Sequence, residues 1–151
     1  MQAGETGRSE MGKINLGRVI LGGLVAGVII NVVDGVLNGV ILQSQWSEAA
    51  KAIGRPAAMS IKQIVAFNIW GFAAGILAVW LYAAMRPRFG AGPRTAMTAG
   101  AALWLLAYAM SDAMMAFLHV FPLGLLLIGT AVGLVEVLIA TTAGAYFYRE
   151  A

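Results

Sequence analysis

Cysteine is absent from the sequence, histidine occurs once, and only 11% of the 151 residues are charged. The absence of cysteine excludes disulfides, thiolate metal ligands and thiol nucleophiles. The single histidine, His119, has no serine or cysteine nucleophile at a matching position and does not complete a nucleophilic catalytic set. The sequence also contains no HExxH or similar metal motif and no glycine-rich phosphate loop. We therefore expect a protein that is not an enzyme, with no catalytic residues, no resident metal and no cofactor.

Long segments without charge decide the class of protein. A helix needs about 20 predominantly apolar residues to cross a hydrocarbon core of about 30 Å, and 60% of the residues here are hydrophobic. One apolar segment covers about residues 19–42, and a second lies between Lys62 and Arg86. The interval 94–149 is long enough for two more, because Pro122 favours a turn near its middle. The sequence thus predicts an all-α bundle of four transmembrane helices.

Two segments lie outside these spans. Residues 1–15 are polar and have no periodicity that could bury a face, so they are predicted to form a mobile cytoplasmic tail before a single membrane domain at 16–151. Between the first two spans, Trp46, Ala49 and Ile53 recur at helical spacing. This pattern predicts a short interfacial helix in the first outer loop, anchored by Trp46, with an ordinary loop as the alternative.

Capping signals locate two helix starts. Ser60 followed by Gln63 has the pattern of a capping box at the beginning of the second span. The segment at 86–95 is rich in Pro and Gly and is typical of a tight turn. Because Thr95 follows that turn, it is predicted to be the N-cap of the third span.

Basic residues are distributed unevenly between the two sets of helix ends. One set carries Arg8, Lys13, Arg18, Arg86, Arg88, Arg94 and Arg149, and the other carries Lys51, Arg55 and Lys62. Short loops rich in Lys and Arg remain in the cytoplasm. Both termini are therefore predicted to be cytoplasmic, in a protein integral to the inner membrane of a bacterial cell. The net charge of +3 then reflects contact with membrane lipid, and no nucleic-acid partner is expected.

Small and polar residues recur at intervals of three or four in each span, which places them on one helix face. The four faces comprise Gly23, Gly27, Asn31, Asp34 and Asn38; Asn68, Gly71, Gly75, Ala78 and Tyr82; Tyr108, Ser111, Asp112, Met115 and His119; and Gly129, Gly133, Glu136, Ala140 and Gly144. In lipid such faces allow close helix contact. They are predicted to point inward and, where they stay unpaired within one chain, to bind a second copy or another membrane protein. The shared spacing of Gly22 and Asp34 with Gly100 and Asp112 leaves open that the two hairpins are similar repeats.

Polar residues from all four spans fall at a similar depth. At a rise of about 1.5 Å per residue, one layer contains Asn31, Asp34, Asn68, Tyr108, Asp112 and Glu136, while Asn38 and His119 lie nearer the outer mouth. A charge at the centre of a spanning helix costs about 2.5–3.5 kcal/mol on insertion scales. No Lys or Arg lies within a span to offset that cost. At least one of the three carboxyl groups is therefore expected to carry a proton or to bind a cation.

Two functions follow from this layer. Polar groups that hydrogen-bond across helices fix their packing, which is typical of a structural or accessory bundle or of a subunit of a membrane complex; the sequence favours this function. Alternatively, carboxyl groups at mid-depth supply the exchangeable site of a small proton- or cation-linked carrier or channel. Access of water to the layer distinguishes the two.

Overall fold

The computed structural model describes residues 13–150, which form five helices joined by short connections. The helices are α1 (Leu16–Ile41), α2 (Gln43–Ala52), α3 (Ile61–Phe89), α4 (Pro93–Phe117) and α5 (Leu123–Tyr146). All but α2 are 24 to 29 residues long and apolar enough to cross a membrane. Helices of that length measure about 36–44 Å, which exceeds the thickness of the hydrocarbon core. The prediction of an all-α bundle with four transmembrane helices is confirmed, and a short helix, α2, lies between the first two spans as predicted. That this connection is on the outer side stays a prediction. Residues 1–12 of the predicted tail lie outside the described residues, so the tail stays a prediction.

Side-chain caps set the starts of two spanning helices. At α1, Asn15 Oδ1 accepts the backbone N–H of Arg18 at 3.1 Å. At α3, the predicted capping box is present: Ser60 Oγ accepts the Gln63 N–H at 3.4 Å, and Gln63 Oε1 accepts the Ser60 N–H at 2.9 Å. Each cap satisfies backbone donors that have no partner within the helix.

The prediction that Thr95 caps α4 is wrong. The helix begins at Pro93, with Gly92 as its N-cap residue at φ 135°, a conformation that favours glycine. Proline suits the first helical position because its φ is already helical and its missing N–H is not needed there. Thr95 thus lies inside the first turn, where its hydroxyl donates to the carbonyl oxygen of Gly90 at 2.8 Å.

Two of the spanning helices contain a wide, π-helical turn. In α1 the turn covers Leu37–Ile41, and the N–H of Leu42 donates to the carbonyl oxygen of Leu37 at 2.8 Å. In α4 it covers Leu105–Ala109. A π turn accommodates one extra residue within a helix and often lies at a functional site. Both turns occur in the part of the bundle that carries the polar residues.

The bundle divides into two halves along its length. The basal half, at 16–30, 71–89, 93–104 and 133–146, contains the described chain ends; the distal half, at 31–41, 61–70, 105–117 and 123–132, carries α2. Helix α1 packs against α3 and α5, and α4 packs against the same two helices. Helices α3 and α5 also contact each other across the centre. Each spanning helix thus has at least two neighbours in the bundle.

Glycines bring α1 and α3 into backbone contact in the basal half. A Cβ atom at Gly23 would lie 2.5 Å from the Cα of Ile76, and one at Gly27 would lie 2.8 Å from the Cα of Phe72. From the other side, Gly75 faces the backbone of Gly23 and Gly27. In lipid, where apolar burial does not drive helix association, such close approach is a main source of attraction.

Close backbone contact at glycines also joins the remaining helices of the basal half. Gly22 of α1 and Gly144 of α5 face each other's backbone, and a Cβ atom at Gly100 of α4 would lie 3.0 Å from Thr141 Oγ1 of α5. Each of the four basal segments contributes at least five buried residues. The inward faces predicted for α1, α3 and α5 agree with this packing, except that Asn68 is exposed and Gly129 has free space around it. The face predicted for α4 is confirmed in part: Tyr108 packs on Gly133 of α5 and Asp112 accepts from Thr130, whereas Ser111 and His119 are exposed.

The distal half is open by comparison. Within the described part of its four segments, the buried residues are Leu37, Leu125 and Leu126. All ten residues of α3 from Ile61 to Trp70 are exposed. A Cβ atom added at Gly35 would meet no other atom within 4 Å among residues 13–150, and the same holds at Gly39 and Gly129. The distal helices are therefore held by a few local contacts rather than by a continuous packed core.

Candidate functional site

Polar side chains from all four spanning helices lie near the boundary between the two halves. On α1, the Asn31 side-chain amide donates to the carbonyl oxygen of Gly27 at 2.9 Å and to that of Asn68 at 3.2 Å. The same amide covers Gly71 of α3, where a Cβ atom would lie 2.5 Å from Asn31 Oδ1. Asn31 therefore joins α1 to α3. The Asn68 side chain is exposed and donates only to Ile64 of its own helix.

A second group links α1 to α2. Asn38 donates to Asp34 Oδ1 at 3.1 Å, and the indole N–H of Trp46 donates to Asn38 Oδ1 at 2.9 Å. The Trp46 ring also makes an edge-to-face contact with Phe121, with 5.4 Å between ring centroids. Trp46 thus fixes α2 to the protein itself, in addition to the membrane contact that the sequence predicts. Asp34 is a hydrogen-bonded acceptor in this group.

A third group joins α4 to α5 through a residue that the sequence analysis missed. The hydroxyl of Thr130 donates to Asp112 Oδ2, and it also lies 2.9 Å from the carbonyl oxygen of Leu126. The indole N–H of Trp104 donates to the carbonyl oxygen of Thr130 at 2.8 Å. Asp112 is therefore partnered across helices. Depth gave a signal for Thr130, because its separation from Arg149 along α5 is within one residue of the separation of Asp112 from Arg94 along α4.

Glu136 differs from both aspartates. It is only 2% exposed, and neither of its carboxyl oxygens has a hydrogen-bond partner among residues 13–150. The ring of Tyr108 packs on Gly133, one turn away on the same helix, where a Cβ atom would lie 2.7 Å from the ring. The Tyr108 side chain is adjacent to Glu136, and Asp34 is close enough for the two acidic groups to interact electrostatically. Glu136 is thus a buried acidic group on α5, beside Tyr108 of α4 and within electrostatic range of Asp34 of α1.

The structure brings the predicted layer together only in part. Asp34, Tyr108 and Glu136 form one neighbourhood, and Asp112 is within electrostatic range of Tyr108. Asn31 and Asn68 meet on the α1–α3 side. His119 is apart from the layer: it is exposed, at φ 51°, in the turn between α4 and α5. Asn38 lies beside α2, as its position near the outer mouth predicts.

Two surface grooves lie away from this layer. One of about 490 Å³ lies between α2 and the beginning of α5 and includes Glu48, Ala49 and Leu125. The other, of about 550 Å³, is lined mainly by apolar side chains of α4 and α5 in the basal half, including Met97 and Ile139. Neither groove contains a residue of the polar layer. Among residues 13–150, no group of three or more His, Cys, Asp or Glu side chains is arranged to hold a metal ion.

Comparison of the chain with protein-family profiles, with curated proteins and with solved structures gives no match. Function is therefore inferred from the geometry. What the fold establishes is a membrane-embedded protein built on four apolar helices.

Proposed function

We propose that this protein is a subunit of a larger membrane assembly, formed with a second copy of itself or with another membrane protein, and that it is not an enzyme. The exposed pair Gly35 and Gly39 on α1 carries this proposal. The two glycines are four residues apart on one face, and a Cβ atom at either would meet nothing within 4 Å among residues 13–150. Small residues at this spacing let two transmembrane helices approach at backbone distance.

The neighbours of these glycines suit a helix–helix contact. Val32, Val36 and Val40 are 50–71% exposed on the same side of α1. Branched side chains beside a glycine groove form a ridge that a partner helix can pack against, with little rotamer freedom to lose. Contacts within the described chain do not involve this face, because α1 packs against α3 and α5 through the basal glycines instead.

Substitution of Gly35 tests the assembly. The Gly35→Leu variant should fold but lose association, since the added side chain fills the groove without touching another part of the chain. Gly129→Leu is the matched control, because Gly129 also has free space around it but lies on α5. Native mass spectrometry from lipid nanodiscs measures both. A parent protein that is strictly monomeric and copurifies with no other protein would contradict the proposal.

The orientation is part of the proposal. The described chain ends lie at the same end of the bundle, where the backbone N–H of Asn15 donates to Tyr148 Oη at 3.4 Å. The excess of basic residues at that end supports a cytoplasmic location for both termini and an inner-membrane protein. An alkaline phosphatase fusion after Arg149 should be inactive, and one after Gly54 should be active. The opposite pattern would reverse the topology.

A second candidate function is a small proton- or cation-linked carrier or channel. Glu136 favours it, because a buried carboxyl that accepts no hydrogen bond from residues 13–150 is not explained by a role in helix packing. Proteoliposomes that contain the parent protein should then dissipate a pH gradient or a cation gradient faster than empty vesicles. Glu136→Gln should abolish that flux, and Asp112→Asn should preserve most of it. Parent vesicles no leakier than empty ones would exclude transport of these ions.

A further inference from the structure

The Glu136 carboxyl is the buried polar group in the layer that the helix contacts leave unpaired. The other two acids have donors: Asn38 donates to Asp34, and Thr130 donates to Asp112. Glu136 is 2% exposed, and neither of its oxygens accepts a hydrogen bond of normal geometry among residues 13–150, although the Tyr108 hydroxyl is adjacent. An ionised carboxylate in such a place would carry a large desolvation cost without compensation. Its environment therefore requires a ligand that neutralises it.

Tightly packed residues block access to the Glu136 carboxyl from the basal side. On α5, the next residue, Val137, and two residues about one turn below, Ala140 and Thr141, are 0% exposed. Ala78 of α3 is also 0% exposed and packs in the same cluster as Val137. Further down, the backbones of Gly22 and Gly144 are in contact. A ligand cannot reach the carboxyl from the basal end without separating the most tightly packed helices of the bundle.

On the distal side, the side chain adjacent to the carboxyl is that of Tyr108. Tyr108 is partly exposed, and its ring packs on Gly133, one turn from Glu136 toward the distal end. Beyond Tyr108 the helices are loosely packed, and Asp34 and Asp112 are both partly exposed. Rotation of a single aromatic side chain would therefore open the carboxyl to the distal half.

The chemistry around the carboxyl selects the ligand. The titratable groups that act on Glu136 are Asp34 on α1 and Tyr108 on α4; Asp112 of α4 is within electrostatic range of Tyr108, and α3 has no titratable group between Lys62 and Tyr82. All are acidic, so an anion is excluded. A divalent cation requires about six or more oxygen ligands, whereas no described cluster of acidic or imidazole side chains is arranged to hold a metal. A proton needs one carboxyl oxygen and no cavity.

We infer that Glu136 is a proton-binding site that is reached from the distal half past Tyr108. This inference deepens the carrier or channel proposal by naming the ligand and the side of access. It also stands without transport, since a proton site can serve as a pH-dependent contact in an assembly. Its test therefore measures protonation and access directly and requires no flux.

Labelling with dicyclohexylcarbodiimide tests both parts of the inference on the full-length parent protein in lipid. This apolar reagent adds to a protonated carboxyl and forms a stable acylurea, which peptide mass spectrometry assigns to a residue. We expect Glu136 to be labelled at least tenfold more than Asp112, with labelling that falls as the pH is raised. Tyr108→Ala should increase the labelling rate several-fold, while Tyr108→Phe, which keeps the ring and removes only the adjacent hydroxyl, should change it much less.

Other outcomes would overturn the inference. Labelling mainly at Asp34 or Asp112 would place the proton elsewhere, and protection by sodium at constant pH would identify a cation site instead. An unchanged rate in Tyr108→Ala would exclude access past the ring. Infrared spectra give a check that does not depend on the reagent: the band of a protonated carboxyl should disappear in Glu136→Gln and persist in Asp112→Asn.

Discussion

The basal and distal halves of the bundle are built from the same kinds of residue and packed in different ways. Both halves are apolar, and both contain glycines at helical spacing. In the basal half Gly23 and Gly75 lie against the backbone of a neighbouring helix, whereas Gly35 and Gly129 in the distal half have free space around them. A small residue thus permits close approach but does not cause it. The distal half depends instead on hydrogen bonds between polar side chains.

Basal glycines should therefore show the largest effect on stability. Gly75→Ala places a methyl group against the backbone of Gly23 and Gly27, which no side-chain rotation can relieve. We expect a loss of about 1–3 kcal/mol in the free energy of unfolding, as for overpacked cores. Gly129→Ala should stay within about 0.5 kcal/mol. Circular dichroism during unfolding in mixed micelles measures both, and equal losses would remove the distinction between the halves.

The link between α1 and α2 should show the next largest effect. Trp46→Phe keeps an aromatic ring against Phe121 but removes the N–H that donates to Asn38. A hydrogen bond of this kind contributes about 1 kcal/mol. Trp80→Phe is the control, because Trp80 is an exposed residue of α3. If both variants unfold alike under the same conditions, Trp46 acts only through its ring.

The bond between α4 and α5 should have a smaller effect. Thr130→Val preserves the side-chain shape and removes the hydroxyl that donates to Asp112. Interhelical hydrogen bonds in membrane proteins average about 0.6 kcal/mol, so we expect a loss of that size. Thr142→Val provides the comparison, because the Thr142 hydroxyl donates within its own helix, to Leu138. A larger loss for Thr142 would show that local bonds outweigh those between helices.

The exposed part of α3 should show the smallest effect. The Asn68 side chain donates to Ile64 of its own helix, and only its backbone carbonyl accepts from Asn31. Asn68→Leu leaves that carbonyl in place and should change the free energy of unfolding by less than about 0.5 kcal/mol. Asn31→Leu should cost more, since the Asn31 side chain itself joins α1 to α3. A larger loss for Asn68→Leu than for Asn31→Leu would mean that Asn68 contacts a second protein molecule.

Much of the fold could be predicted because its causes are local. Hydropathy and length locate the four spans, and the capping box at Ser60 follows from adjacent residues. The N-cap of α4 could not be assigned to Thr95 in the same way, because Pro93 and Gly92 compete for the start of the helix. Local rules indicate that a helix begins near a turn, and the backbone conformation of one glycine decides at which residue.

The sequence could predict which residues form the polar site, but not which of them are hydrogen-bonded to each other. Depth alone brought Asp34, Tyr108 and Glu136 to one level, since the rise of a helix is constant. Which acid finds a donor depends on the rotation of each helix about its axis. That rotation gives Asp112 a partner in Thr130 and leaves Glu136 without a hydrogen-bond partner in the described part of the chain. No spacing in the sequence distinguishes these two outcomes.

The π-helical turns at Leu37–Ile41 and Leu105–Ala109 affect which insertions and deletions the two helices tolerate. Each holds one residue more than a regular turn, so the helix beyond it is rotated by about 100° relative to an uninterrupted count from the basal end. The distal segments of α1 and α4 can thus gain or lose a residue at these points while the glycine contacts below stay in register. Such a molecule can change what it binds at one end without rebuilding the other.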